Sequence, residues 1–323
     1  MTSLASAHAV AFGFSLTYVG SLYLSKHARL SFSRHATADL QGGQRQRRED
    51  ERWRDDPDVI KARLVAVISA TVVCCAVVGW LYGWGTATSM LGLSFSSWRP
   101  HLLAPLLYLG PIYAQSLIHY ERSKLHALKR GANASPYLKG VAMQWTRDTF
   151  ATWIGWRNYI IAPITEEVVF RACVLSVYRA VSDGWTTMSP VRVVWVSPLF
   201  FGVAHVHHAW EVYNTHGRTA AAAKRAVLTS LFQLAYTSLF GAYCACLFLR
   251  AGSVLPPITA HIWCNSMGIP QLTWELSVFK SSPVRRATIL LAYVVGIALT
   301  WITYEALSVA KYEDRYVVER YPF

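Results

Sequence analysis

Hydrophobic residues along this chain gather into long runs, and most polar residues fall in the connections between them. Eight stretches, at about 7–24, 62–84, 101–119, 156–178, 191–207, 227–249, 253–270 and 287–309, approach the ~20 apolar residues a helix needs to cross a bilayer. The pattern predicts an all-α, polytopic integral membrane helix bundle with about eight transmembrane helices. The fifth and seventh stretches are short or carry polar side chains. The first begins near Ala7 with no basic residue ahead of it and no convincing cleavage site behind it, so it reads as a retained helix. No internal repeat is visible.

Composition supports the same picture. Hydrophobic residues make up 53% of the 323 residues and charged residues only 15%, against about 25% in a soluble domain. The length would suit two soluble domains, but the apolar runs argue for a single membrane domain over residues 1–323, with a catalytic core at about 150–270. The segment 25–61 is polar and of mixed charge, with Arg47, Arg48, Glu49, Asp50, Glu51 and Arg52 in succession. It reads as a solvated, flexible cytosolic loop, with a regulatory or partner-binding role as the sharper alternative.

The net charge of +13 sits in the connections. There it sets membrane topology and attracts anionic lipid, so no nucleic-acid partner is expected. The basic loops after the first and third runs read as cytosolic, which places the N-terminus in the lumen. An eighth helix would return the C-terminus to the lumen, although Lys311, Arg315 and Arg320 follow it. All six cysteines fall inside apolar runs and no Cys-x-x-Cys occurs, so they read as small buried side chains.

Ionisable residues within membrane helices are costly, so each is a candidate for function. Three groups stand out. In Glu166-Glu167-Val168-Val169-Phe170-Arg171, Glu167 and Arg171 share a helix face at four-residue spacing and can pair. Glu166 points about 100° away and is available as a general base of raised pKa. A structural charge cluster is the alternative. The second group is Phe201-Gly202-Val203-Ala204-His205, with His207 and His208 beyond it. His205 could orient a water, move a proton, bind a metal or simply end a helix. The third is His261-Ile262-Trp263-Cys264-Asn265, whose His261 and Asn265 share a face. They suit an oxyanion hole, or equally a hydrogen bond that holds helices together. With the basic loops on the cytosolic side, all three groups fall in the cytosolic half of the membrane, Glu166 about 15 Å deep.

Glu-Glu-x-x-x-Arg, Phe-x-x-x-His and His-x-x-x-Asn, in that order on separate apolar runs, resemble the type II CAAX prenyl proteases, and most closely their eukaryotic Ras-converting branch. The flanks agree, in Ile161-Ala162-Pro163-Ile164-Thr165 and in Phe200-Phe201-Gly202-Val203-Ala204-His205-Val206-His207-His208. The resemblance is strong from about Arg157 to Asn265. It implies removal of the aaX tripeptide from farnesylated or geranylgeranylated CAAX proteins, such as Ras-like small GTPases. It also implies an endoplasmic reticulum membrane location, with the active site open to the cytosol. By the same resemblance, Glu166 and His205 activate water and His261 and Asn265 stabilise the oxyanion. Glu167, Arg171, Phe201 and His208 support the site.

No cofactor is expected. A zinc-dependent version of the protease is the rival reading, with Glu166, His205 and His261 as three ligands and one open position. It lacks a His-Glu-x-x-His and a clear outer carboxylate for the histidines. A non-catalytic membrane scaffold of the same superfamily is a second alternative. A transporter, which would predict internal symmetry and paired broken helices, is a third.

Overall fold

A computed structural model describes residues 3–33, 40–41, 44–130, 146–181 and 188–313. Apart from a two-residue antiparallel ladder pairing Leu40–Gln41 with Gln44–Arg45 and an isolated bridge between Ser31 and Arg52, the regular structure described is helical. The principal helices are α1 (Leu4–Leu24), α2 (Pro57–Tyr82), α3 (Leu109–Arg130), α4 (residues 153–181), α5 (Pro190–Ala204), α6 (His208–Thr215), α7 (Ala220–Ala251), α8 (Leu255–Met267) and α9 (Pro283–Glu313).

Local chemistry starts and stops them. Ser3 caps α1, its hydroxyl accepting from the Ser6 amide at 3.2 Å, with Ser6 returning the bond in a capping box. Pro57 opens α2 from the first turn, where its missing N–H costs nothing. The Thr219 hydroxyl caps α7 by accepting from the Ala222 amide at 3.1 Å, and Gly252 ends that helix at φ 62°, in the left-handed region that favours glycine.

Among the described residues, four helices are long and apolar enough to cross a membrane: α1, α2, α7 and the 283–307 part of α9. Arg99–Leu107 and Leu109–Leu125 together meet the same criterion as one broken span, bent by 54° at the break. Large apolar side chains such as Val65, Phe232, Ile297 and Trp301 point outward from these helices. Water would penalise such faces, and lipid does not. The protein is an all-α, multi-pass membrane protein.

The remaining expected spans take a different form. The stretches at 191–207 and 253–270 become helices of only 15 and 13 residues. The stretch at 156–178 is interrupted by two π-helical segments, Arg157–Ile161 and Val168–Cys173. Proline explains part of this, since Pro163 and Pro198 lie inside the helical runs where they cannot donate. Arg315 and Arg320, which bear on the side of the C-terminus, lie outside the described residues.

The chain divides into two compact units. The first comprises the described residues of 1–95 and 161–257. In it α1 packs on α2, α5 and the second half of α4, while α7 packs on α5 and α6. Two glycines permit the α5–α7 approach. A Cβ on Gly202 would come within 2.7 Å of Leu234 and Ser238, and one on Gly241 within 2.7 Å of Pro198. The second unit comprises residues 96–160 and 258–319, in which α9 packs along α3 and the Leu103–Leu107 helix. Ala114, Ile118, Phe279 and Ile289 form a buried cluster there. Tyr293 donates to the buried Glu275 at 2.7 Å.

Within the 25–61 segment, described residues make buried polar contacts that a solvated loop would not need. Arg45 and Glu51 are buried and joined at 2.7 Å. Arg45 Nε also donates to the Asn214 carbonyl on α6 at 2.8 Å, and its guanidinium lies over the rings of Phe32 and Trp53. Burial pushes the Glu51 carboxyl up. The bonds it accepts from Arg45, the Ser33 and Arg48 amides and the Trp53 indole outweigh that and hold it at about 2. Burial of both charges in a polar run is affordable only because each finds several partners. Gly42 and Gly43 lie outside the described residues.

Candidate active site

Helix α4 carries the paired acids. Glu167 and Arg171 are almost wholly buried, and Glu167 Oε2 stands 3.0 Å from Arg171 Nε. Four-residue spacing places them on one face, as the sequence pattern requires. Glu166, one residue earlier, is only half-buried. Two adjacent carboxylates therefore occupy different environments. One is in the protein interior against a guanidinium, and the other is within reach of solvent or substrate. The π-helical segment Val168–Cys173 begins directly after them and contains Arg171, and such irregular turns recur at functional sites.

Around the ion pair the structure stacks aromatic rings. The Arg171 guanidinium lies 4.5 Å from the Phe201 ring centroid, which gives the buried cation a second favourable neighbour. Phe170 packs on Phe201 at 5.1 Å and on Tyr18 at 5.5 Å. The Tyr18 hydroxyl lies 2.8 Å from the Thr165 hydroxyl, immediately before the two glutamates. Sequence reasoning missed Tyr18, Thr165, Gly202 and Gly241. Thr165 stood in the motif flank, but nothing in the spacing pointed to a tyrosine 147 residues away.

His205 follows the last residue of α5, and Phe201 shapes its setting. The two rings meet edge to face at 4.5 Å, and His205 Nδ1 is 2.8 Å from the Phe201 carbonyl. A carbonyl only accepts, so Nδ1 carries the proton in that bond, and the lone pair of the neutral ring lies on Nε2. That tautomer suits a proton acceptor at Nε2. His208 lies 5.8 Å from His205 ring to ring and 3.5 Å from Glu211. His207 donates instead to the Ala204 carbonyl at 2.7 Å. Glu166, Glu167, Arg171, Phe201, His205 and His208 all belong to the first unit.

His261 and Asn265 lie on α8 in the second unit. His261 is buried and Asn265 is exposed. The Asn265 amide donates one N–H to the Asn158 carbonyl at 2.8 Å, which orients the side chain and leaves its second N–H for another acceptor. Among the described residues, no group of three or more His, Cys, Asp and Glu side chains could hold a metal ion.

Residues 148–267 match the family model described as Type II CAAX prenyl endopeptidase Rce1-like. The chain is 30% identical over 253 residues to the probable CAAX prenyl protease 2 of Schizosaccharomyces pombe, an alignment covering 77% of this chain and 82% of the relative. It is 31% identical over 306 residues to CAAX prenyl protease 2 of Homo sapiens, covering 90% of this chain and 78% of the relative. With the protein of that name from Saccharomyces cerevisiae it shares 38% identity over 115 residues, 35% of each chain. No solved structure matches it. The matched stretch contains every candidate residue from Glu166 to Asn265, and the two longer alignments carry the likeness across most of the chain. The chain belongs to the type II CAAX prenyl endopeptidase family.

Proposed function

We propose that this protein is an intramembrane endopeptidase that removes the aaX tripeptide from farnesylated or geranylgeranylated CAAX proteins, Ras-like small GTPases among them. It acts at the endoplasmic reticulum membrane, with its site open to the cytosol and without a metal. The observation that carries this reading is the ordered set Glu166-Glu167-x-x-x-Arg171, Phe201-x-x-x-His205 and His261-x-x-x-Asn265 within the family-matched residues 148–267.

In this reading Glu166 and the Nε2 lone pair of His205 take a proton from a water molecule. The water oxygen attacks the carbonyl carbon of the prenylated cysteine itself. His261 and the second N–H of Asn265 donate to the oxyanion, where charge develops only in the transition state. The tetrahedral centre then collapses and the C–N bond breaks. The proton held by the carboxylate–histidine pair passes to the leaving amine, releasing the tripeptide and a new prenylcysteine carboxylate. Glu167, Arg171 and Phe201 hold the α4 turn and the α5 terminus in place.

The test uses the purified full chain in liposomes with a farnesylated Cys-a-a-X peptide and the same peptide unprenylated. Free tripeptide should appear from the farnesylated peptide and persist after prolonged chelation. The bare peptide should be a very poor substrate, because each CH₂ buried with the lipid contributes about 0.8 kcal/mol. Folded protein that releases no tripeptide would overturn the protease reading. Activity lost with stoichiometric zinc and restored by it would replace the metal-free mechanism with the zinc-dependent one.

A further inference from the structure

A groove of about 820 Å³ runs between α1 and α2 in the first unit, outside the residues assigned to chemistry. Its walls are mainly apolar and include Leu24 of α1 and Val65 and Val73 of α2. One end is charged. His27, Arg52 and Lys61 line it together with a single acid, Asp58, which stands 3.4 Å from Lys61. Arg52 donates to the Lys26 carbonyl, which fixes its backbone neighbour while its charge stays at the mouth. From Lys61 to Val73 is about 18 Å along a helix at 1.5 Å per residue, close to the ~15 Å of one leaflet's hydrocarbon.

An apolar trough one leaflet deep, with a net positive mouth at the membrane surface, matches one kind of molecule. We infer that this groove binds an anionic phospholipid, with an acyl chain along Val65 and Val73 and the headgroup phosphate against Arg52 and Lys61. Charge complementarity selects the occupant. A zwitterionic lipid would meet the same trough, but its cationic group would offset its phosphate at the mouth. The two firm cations less Asp58 leave one net positive charge, which predicts about a fivefold preference for the anionic lipid. The inference does not rest on the proposed protease activity.

The experiment places the full chain in phosphatidylcholine nanodiscs containing a small fraction of phosphatidylserine with a photoactivatable acyl chain. Labelled peptides are mapped by mass spectrometry. Labelling of the 62–73 segment should saturate and should exceed, by about fivefold, that from photoactivatable phosphatidylcholine at equal fraction. Val65→Trp, at an outward-facing position, should fill the trough and abolish the saturable labelling. Arg52→Gln with Lys61→Gln should reduce phosphatidylserine labelling to the phosphatidylcholine level. Unchanged thermal unfolding would confirm that both variants are folded. Equal or unsaturable labelling by the two lipids would overturn the inference, as would labelling that survives Val65→Trp. Displacement by the farnesylated peptide would also overturn it, because the groove would then belong to the substrate.

Discussion

The guanidinium of Arg171 lies against the ring of Phe201 at 4.5 Å, and the same ring meets His205 edge-on at the same distance. One aromatic side chain thus joins the ion-paired turn of α4 to the histidine that ends α5. The two motif pieces that the sequence separates by some thirty positions share a packing unit.

The ion pair itself predicts the outcome of a double-mutant cycle. Glu167→Gln leaves Arg171 charged and buried, and removing one member of a buried pair costs about 3–5 kcal/mol. Arg171→Met alone takes the guanidinium away from the buried Glu167 carboxylate. The double variant strands neither charge, so its loss of stability should be clearly smaller than the sum of the single losses. Thermal unfolding in detergent reads the cycle, and strictly additive losses would show that the two side chains are not coupled.

Glu166→Gln should behave in the opposite way. The site is half-buried and the amide keeps the carboxylate's shape, so folding should be retained. Tripeptide release should vanish, because the proposed general base is gone. Full activity in this variant would remove Glu166 from the mechanism.

Asn265→Ala should lower kcat by about 10²–10³ with little change in KM, the signature of a donor that acts only on the transition state. The variant also loses the bond to the Asn158 carbonyl. A large rise in KM at normal kcat would reassign Asn265 to holding that backbone in place.

Gly241→Ala tests the helix contact behind the ion pair. Its Cβ would lie 2.7 Å from Pro198 and 3.1 Å from Arg171 Nη2, so α5 and α7 must separate. Overpacking of this kind costs about 1–3 kcal/mol. Both thermal stability and tripeptide release should fall. A variant as stable as the parent would mean that the helices part freely here.

The loop ion pair makes a pH prediction. The Glu51 carboxyl is held at about 2, below its ordinary value of 4.5. Its contribution to stability is therefore complete above about 4.5 and is lost as pH falls through about 2. At neutral pH, Glu51→Gln should loosen the loop and speed trypsin cleavage at Arg47 and Arg48. The gap in stability between parent and variant should narrow as the pH falls from about 5 towards 2. A gap constant over that range would show that the carboxylate's charge is not what anchors the loop.

What the sequence determined by itself were the properties set by local geometry. Apolar run length and the exclusion of charge from the spans predict a helical membrane protein, because backbone groups in lipid must be satisfied within the helix. The spacing of Glu167 and Arg171 predicts a shared face, because 3.6 residues make a turn. The ordered motifs pointed to the family. Only the tertiary structure decided the rest. It shortened the helices around Pro198 and in α8, and it showed which carbonyl claims His205 Nδ1. It brought Tyr18 to Thr165, and it buried Arg45 and Glu51 in a segment whose composition reads as solvated. Arg45 meets its α6 partner across 169 residues of chain, and Tyr18 its partner across 147. Local periodicity carries no information about such pairs. They form because a polar group removed from water must find whatever partner the packing of distant helices supplies.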